Sequence, residues 1–250
     1  MLDISFCIIL YNKDLSQSAT ISSLQSILPT LPYSSRIVVF NNGPNIQIDP
    51  NQDGLDLHNV LVNASLAKLY NKFVDAYDSK FYVFLDDDTI LNSDYIQEFF
   101  KANSEIFFPK IYCNGELHYP CFDSRGVQTI TSGLVLNKLF IHNIENEKVF
   151  DERFLLYGID TAFCYQINRE GVGYEVSESI LEHDLSHISG GGSDFRNSEV
   201  LYANCASLIS YFSFKLALQI AIGIGKQLMK GNLRVLKNSV IFLLLRRVVR

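Results

Sequence analysis

An apolar, aromatic run that ends in three adjacent carboxylates constrains this chain more than any other feature. Residues 81–85 read Phe-Tyr-Val-Phe-Leu, and Asp86, Asp87 and Asp88 follow directly. A short aromatic and β-branched run of this kind predicts a buried strand. Because removing a charge from water is costly, carboxylates at the end of such a strand need compensation. We expect Asp86 and Asp88 to bind a divalent cation, Mg²⁺ or Mn²⁺. The alternative is a solvated acidic turn that leads into the next helix.

The first 90 residues alternate between apolar strands and helices. The pattern predicts strands at residues 4–10, 36–40, 60–62 and 81–85, and helices at residues 16–28 and 65–77. This alternation indicates an α/β protein with a mostly parallel sheet flanked by helices, in which ligands bind beyond the carboxyl ends of the strands. Polar residues follow the predicted strands, and one cleft is expected to collect them: Asn12, Asn41, Asn42, Asn63 and the three aspartates.

The second half of the chain is less regular. A strand is predicted at residues 128–136, a helix at residues 160–170 between Asp160 and Gly171, and a short strand at residues 174–176. A polar cluster around His183 and a glycine-rich loop at residues 190–193 follow. Asp160 could serve only to start its helix, and His183 and His187 could be surface residues. A second metal site formed by Glu182, His183 and Asp184 is a further alternative, although adjacent ligands are poorly spaced for one.

The charge of the chain is divided unevenly. Residues 200–250 contain eight basic residues and no acidic ones, whereas residues 1–199 contain 13 basic and 27 acidic residues. The basic segment is predicted to be helical, with breaks near Gly223, Gly225 and Gly231. One narrow helical face would hold Lys215, Gln219, Lys226, Lys230 and Lys237. This pattern favours binding to an anionic membrane surface, with packing on the body of the protein or a dimer interface as the alternative. An acidic body makes nucleic acid an improbable partner.

The cysteines and the N-terminus indicate a reducing compartment. The five cysteines are scattered, without a CxxC pair, and therefore predict reduced and mostly buried thiols rather than a zinc site. The chain begins with a strand-like run that has no basic segment before it, so no signal peptide is expected. We therefore expect a cytosolic protein, which the basic tail would attach peripherally to the cytoplasmic face of a membrane.

These pieces together resemble an inverting glycosyltransferase of family 2 with the GT-A fold, over about residues 4–190. The resemblance is closest to bacterial rhamnosyltransferase-like members that build cell-surface polysaccharides. The matching pieces are Tyr11-Asn12, residues 38–43, Asn63 with Ala67 and Asn71, residues 85–89, Ser132-Gly133, residues 150–154, residues 158–161 and Glu182-His183.

The resemblance implies a role for each matching position. Asp86 would contact the ribose of the donor nucleotide and, with Asp88 and His183, lie at the metal that bridges the diphosphate. Asp160 would be the general base that deprotonates the acceptor hydroxyl. The remaining donor-binding positions would be Tyr11, Asn12, Asn41, Asn63 and Asp87.

Several positions depart from the family pattern. Asn41 stands where the family often has an aspartate that pairs with the base, and Ser65 stands where a glycine is common. Ile159 and Ala162 replace acidic residues beside the catalytic position. These losses motivate a second hypothesis, a non-catalytic scaffold subunit that binds a sugar nucleotide. A nucleotidyltransferase is disfavoured, because no glycine-rich loop with basic residues follows the first strand.

The expected organisation is a GT-A catalytic domain at residues 1–199 and a basic amphipathic helical tail at residues 200–250 that associates with a membrane. The expected activity is transfer of a sugar to a hydroxyl of a lipid-linked glycan acceptor in the synthesis of O-antigen or capsule. Rhamnose from dTDP-rhamnose is the first choice of donor, and galactose or another hexose from a UDP-sugar is the alternative.

Overall fold

The structure is a computed structural model that describes residues 1–123, 126–144, 148–185, 194–210 and 213–245. His187, the glycines at 190–192 and the basic residues Arg246, Arg247 and Arg250 lie outside the described residues.

A central, mostly parallel sheet organises the chain. Its first four strands are β1 (Leu2–Leu10), β2 (Ser35–Asn41), β3 (Leu55–Asn59) and β4 (Ser79–Asp86). They lie side by side in the order β4-β1-β2-β3, and each pair is parallel. Pairing of Leu10 with Asn41 and of Ile9 with Asp86 brings the carboxyl ends of three strands to one edge of the sheet. That edge is where an α/β sheet binds its ligands.

The sheet continues beyond β4 with strands from the second half of the chain. These are β5 (Ile106–Cys113), β6 (Glu116–Tyr119), β9 (Val135–Asn137) and β10 (Tyr174–Glu182), in the order β10-β5-β9-β4. β9 is antiparallel to both of its neighbours, β4 and β5, whereas β5 and β10 are parallel. β6 pairs with β5, and β7 (Cys121–Asp123) forms a separate hairpin with β8 (Gly126–Gln128).

Helices cover both faces of the sheet because successive strand residues point to opposite sides. On one face, α1 (Ala19–Ile27) and α3 (Ser93–Lys101) pack against Phe6, Ile8 and Val39. The other face carries Cys7, Val38 and Phe84, and is covered by α2 (Leu66–Ala76) and α5 (Ile159–Glu170). A short helix, α4 (Lys138–Asn143), follows β9.

Three C-terminal helices extend the second of these layers: α6 (Asp194–Ser210), α7 (Phe214–Met229) and α8 (Leu233–Leu245). They join the same apolar core through Leu201, Cys205, Ile220, Val235 and Phe242. The expected boundary between residues 199 and 200 falls inside α6. No helix in the described part of the chain combines the length and the apolar character needed to cross a bilayer.

The expected α/β architecture with a C-terminal helical tail is confirmed. The strands predicted at residues 4–10, 36–40 and 81–85 and the helix at residues 65–77 are present, with Ser65 as N-cap of α2. The helix predicted at residues 160–170 is also present, and Gly171 ends it with a φ of 66°. All five cysteines are free thiols, and four of them are buried.

Several local predictions are wrong. The third strand occupies Leu55–Asn59 rather than residues 60–62, because the pairing partners of Ile37–Asn41 begin at Leu55. The segment predicted as one strand at residues 128–136 is the end of β8 and the start of β9, separated by a turn at Gly133, whose φ is 88°. In the tail, Gly223 and Gly225 lie within α7, whereas Gly231 separates α7 from α8.

Candidate active site

A chain of polar contacts fixes Asp86 at the end of β4. The amide of Asp86 donates to Ser132 Oγ at 2.9 Å, and Ser132 Oγ lies 2.6 Å from Thr89 Oγ1. Thr89 Oγ1 in turn lies 2.9 Å from Nδ1 of His183, which follows β10. Because these side chains are buried, the network holds residues from three separate segments in one geometry.

Asp86, Asp88 and His183 form the one group of possible metal ligands found in the described ranges. Each offers a ligand atom, and these atoms lie within 4.8 Å of one another. His183 Nδ1 lies 3.0 Å from Asp88 Oδ1, and His183 Nε2 lies 3.8 Å from Asp86 Oδ2. The sequence predicted the two aspartates as ligands, and the resemblance added His183.

The charge balance of this cluster fits a cation. His183 Nδ1 lies 2.9 Å from Thr89 Oγ1 and 3.0 Å from the buried Asp88 Oδ1. Burial, with help from Asp88 and Asp87, raises the pKa of Asp86 to about 6. Burial by itself would lower the pKa of His183, but the two carboxylates outweigh it and raise that pKa. A hard divalent ion would compensate these carboxylates, and two oxygen ligands with one imidazole suit Mn²⁺ and are compatible with Mg²⁺.

Asp87 lies apart from this cluster. Its carboxylate accepts a hydrogen bond from Lys13 Nζ at 2.7 Å, and its carbonyl accepts one from Ser18 Oγ at 2.8 Å. Burial raises the pKa of Asp87, and the ion pair with Lys13 opposes that shift. Asp87 thus connects the turn after β4 to the segment after β1, so its contacts here are structural.

Asp160 faces the cluster across a cavity of 240 Å³, which is also lined by Asp86, His183, Tyr157 and Arg196. α5 begins after Gly158, whose φ of 78° turns the chain and places Asp160 in the first turn of the helix. Asp160 Oδ1 accepts the amide of Thr161 at 2.8 Å. Burial nevertheless raises the pKa of the Asp160 carboxyl. A carboxylate with a raised pKa in a cavity is suited to accept a proton.

The asparagines predicted to bind the donor lie at the same sheet edge but do not line the cavity beside Asp160. Asn41 is buried, and its amide nitrogen donates to Ile46 O at 2.7 Å and to Asn59 Oδ1 at 2.8 Å. Asn59 fixes this orientation, because its own Nδ2 donates to Ile48 O at 2.6 Å. Asn41 Oδ1 has no partner within the described ranges. The polar atom of Asn41 that lacks a partner is therefore an acceptor, and it is buried.

Two asparagines with a left-handed backbone conformation form the turns around Asn41. Asn12 has a φ of 52° and Asn63 a φ of 47°, a conformation that asparagine tolerates better than most residues. Asn12 Oδ1 accepts the amide of Asn45 at 3.1 Å, and the amide of Asn63 donates to Asn42 O at 3.0 Å. Tyr11, which directly precedes Asn12, is 46% exposed. Asn12 and Asn63 thus shape the loops that surround Asn41.

Two cations near the site were not anticipated. Arg196 lies in α6, with its guanidinium 5.7 Å from the centre of the Tyr157 ring, and lines the cavity with Asp86. No local signal marks it, because 36 residues separate it from Asp160 in the sequence. Lys13 directly follows Tyr11-Asn12 at the end of β1, and this position beyond a strand could have marked it as a residue of the site.

Comparison with known proteins supports the fold. A scan against models of protein families finds no match, and a search of curated proteins finds no match either. Among solved structures, the chain is similar to S. aureus TarS 1-349, with a TM-score of 0.55 and 12% identity over 96% of this chain and 72% of that one. The UDP complex of TarS 1-349 aligns with a TM-score of 0.52 and 13% identity, over 89% and 65% of the two chains.

The complex of TarS 1-349 with UDP-GlcNAc gives a TM-score of 0.53 and 13% identity, over 96% of this chain and 72% of that one. Likeness at such low identity is evidence of a common fold, and it agrees with the expected GT-A architecture.

Proposed function

We propose that this chain is an inverting glycosyltransferase that moves a sugar from a nucleotide-diphosphate sugar to a hydroxyl of a glycan acceptor. The observation that carries the proposal is that Asp160 lines the same cavity as Asp86 and His183, which form a possible metal site together with Asp88. Displacement at an anomeric carbon requires a base and a diphosphate site on either side of one sugar, and a shared cavity allows this arrangement. The UDP and UDP-GlcNAc complexes of the structural neighbour are consistent with a nucleotide-sugar donor.

Asp86, Asp88 and His183 would hold Mg²⁺ or Mn²⁺, which neutralises the negative charge of the diphosphate leaving group when bound. Arg196 lines the same cavity and adds a permanent positive charge on the side of α6. It would stabilise the charge that develops on the leaving group, because a charge is most effective in a site from which water is largely excluded.

Asp160 would act as the general base. The bond between the anomeric carbon and the diphosphate oxygen breaks while the acceptor oxygen bonds to the opposite face of that carbon, and the hydroxyl proton passes to Asp160. One displacement of this kind inverts the anomeric configuration. A general base contributes roughly 10²–10⁴-fold to a rate, and burial of Asp160 raises its proton affinity toward that task.

Asn41 would recognise the nucleotide base. Its amide nitrogen is engaged by Ile46 O and Asn59 Oδ1, whereas Oδ1 has no partner among the described residues. Because Oδ1 is itself buried, a base would reach it only after a local rearrangement. Such an acceptor suits the N3–H group that uracil and thymine share, and it disfavours cytosine, which has no such donor. We propose dTDP-rhamnose as the donor, with UDP-galactose or another UDP-hexose as the alternative that the neighbour's UDP complex favours.

The tail would place the enzyme at a membrane. Phe214, Leu218 and Ile222 are exposed at helical spacing on α7, and the exposed Lys226 and Lys230 lie further along the helix. Apolar side chains beside lysines favour an anionic bilayer surface. The acceptor would then be a lipid-linked glycan at the cytoplasmic face of the inner membrane, in the synthesis of O-antigen or capsule. Sedimentation with vesicles that contain phosphatidylglycerol tests the tail directly.

The activity is tested with two variants and a control. Purified protein is incubated with dTDP-rhamnose, UDP-galactose or UDP-GlcNAc, and both thermal stabilisation and release of nucleoside diphosphate are measured with and without Mn²⁺. Asp160→Asn should keep stabilisation by the donor and lose roughly 10²–10⁴-fold in turnover. Asp88→Ala should lose the part of the stabilisation that depends on Mn²⁺. Asp94→Asn, at an exposed carboxylate of α3, should match the wild type.

The possible outcomes separate an enzyme from a scaffold. Full turnover in both Asp160→Asn and Asp88→Ala would contradict the proposal. Donor binding without turnover in the wild type, on water or any acceptor, would favour the non-catalytic scaffold that the replacements at Ile159 and Ala162 suggest.

A further inference from the structure

A second, larger groove meets the donor cavity at Asp160. The groove has a volume of 980 Å³ and lies against α5, α6 and α7. Tyr157, Gly158 and Asp160 line both this groove and the 240 Å³ cavity that holds Asp86 and His183. Asp160 therefore borders both spaces. The groove is at the upper end of the roughly 300–1,000 Å³ that ligand sites occupy.

The lining of the groove is rich in hydroxyl and amide groups. α6 contributes Asn204 and Ser207, and α7 contributes Gln219. These side chains both donate and accept hydrogen bonds, as the hydroxyls of a sugar chain require. The charged side chains of the groove are Asp123, Asp160 and Lys215.

Lys215 is the cation of this groove, and it lies in the first turn of α7. Within the described ranges it forms no ion pair, unlike Lys13, Lys148 or Lys230. The groove also holds the carboxylates of Asp123 and Asp160, but Lys215 is paired with neither in the described part of the chain. A lysine that forms no ion pair suits an anionic group, and phosphate is an anion that lysine commonly binds. Phe214 and Leu218 are exposed on the same helix and would suit an apolar chain attached to that phosphate.

We infer that this groove binds the acceptor as an extended oligosaccharide, with its reactive hydroxyl at Asp160 and a phosphate at its other end on Lys215. The inference rests on the proposed function, since it assigns the second substrate of that same site. It makes α6 and α7 walls of the acceptor site, in addition to any contact with a membrane. The phosphate could belong to a lipid carrier or to a free phosphorylated glycan, and the test separates these two sources.

Ligand-observed NMR titrations test the groove with defined probes. The probes are maltotriose, cellotriose and chitotriose, each neutral, with a 1-phosphate, and with the octyl ester of that phosphate. We expect at least one trisaccharide to bind roughly tenfold tighter with the phosphate than without it, and this advantage should shrink at high salt. A further gain from the octyl group would indicate a lipid-linked acceptor, and no gain would indicate a free phosphorylated glycan.

Matched variants on α7 locate the binding. Lys215→Gln should abolish the phosphate advantage, whereas Lys226→Gln, at an exposed lysine that does not line the groove, should keep it. Gln219→Trp should weaken binding of every probe at least tenfold by filling the groove. Ala221→Trp, at an exposed position of the same helix outside the groove lining, should not.

The outcomes distinguish this inference from the proposed function. Probes that bind Lys215→Gln and Gln219→Trp as well as they bind the wild type would overturn the groove assignment. So would a failure of all probes to bind a protein that UDP or dTDP still stabilises thermally. A protein that no nucleotide or sugar nucleotide stabilises would instead count against the proposed function itself.

Discussion

Replacing Asn41 by aspartate, the residue common at this position in the glycosyltransferases that the sequence resembles, should destabilise this protein. The amide nitrogen of Asn41 donates to Ile46 O and to Asn59 Oδ1, and the side chain is fully buried. Asn41→Asp removes both donors and turns an oxygen toward two acceptors. A buried group left without its partner costs about 1–3 kcal/mol. Because Asn59 Oδ1 keeps the amide of Ile48 at 3.2 Å, we place the total at roughly 2–5 kcal/mol.

The cost of Asn41→Asp should depend on pH. A neutral carboxylic acid offers one O–H donor and restores one of the two lost bonds, so the new carboxyl should have a folded-state pKa above its unfolded value of about 3.9. Stability that comes from the protonated form is fully present below the unfolded pKa and is lost as the pH rises through the folded pKa. The gap between the free energies of unfolding of variant and wild type should therefore widen as the pH rises from about 4 toward neutrality.

Urea unfolding of the wild type and of the variant at several pH values between about 4.5 and 8 measures this gap. Asn45→Asp is the matched control, because the same chemical change is made at an exposed position of the adjoining loop. It should stay within about 0.5 kcal/mol of the wild type. A variant at position 41 that is equally stable, or one whose deficit does not change with pH, would refute the reasoning about the amide orientation.

Three further predictions concern the framework of the site, and urea unfolding measures each. Gly133→Ala should cost about 2–4 kcal/mol, because the φ of Gly133 is 88° and a Cβ would lie 2.6 Å from a proline side chain. Gly171→Ala should cost only about 1–2 kcal/mol, because Gly171 has a φ of 66° but open space around it. Equal losses of stability would contradict the steric argument. Tyr95→Phe should cost about 1–3 kcal/mol, because it leaves the buried carbonyl of Gly133 without its donor; an unchanged stability would show that this carbonyl finds another partner. Burial would raise the pKa of Glu98, but hydrogen bonds from the serines of β10 lower it. The stabilisation by Glu98 is therefore present above its unfolded pKa and is lost as the pH falls through the lower folded pKa. The loss of stability caused by Glu98→Gln should therefore shrink in acid, and a loss that grows in acid would contradict this reasoning.

The first half of the fold could be predicted from local patterns, and the second half only in part. β1, β2 and β4 are buried on both faces, so each is a continuous apolar run that shows in the sequence. β3 has a single fully buried residue, Leu57, and it was placed wrongly because an edge strand carries little apolar signal. β10 was predicted too short, since a register shift between Val176 and Ile180 interrupts its pattern.

The candidate site shows the same division. Three adjacent aspartates indicated a charged site, but nothing local distinguishes their roles, and contacts from distant segments do so. Lys13 forms an ion pair with Asp87, whereas His183 lies within 3.8 Å of both Asp86 and Asp88. The resemblance had placed all three aspartates at the donor.

The sequence by itself determined that this chain forms a parallel α/β sheet with carboxylates at the ends of its strands. Runs of apolar residues and their periods are local properties. Strands that are apolar on both faces must be covered on both sides, and few folds other than a parallel sheet between helices do this. Only the tertiary structure decided that β9 runs antiparallel between β4 and β5, that Arg196 and His183 reach the cavity of Asp160, and that the basic tail lines a groove beside it. These features join residues far apart in the chain, and their distances depend on how whole layers pack rather than on any local pattern.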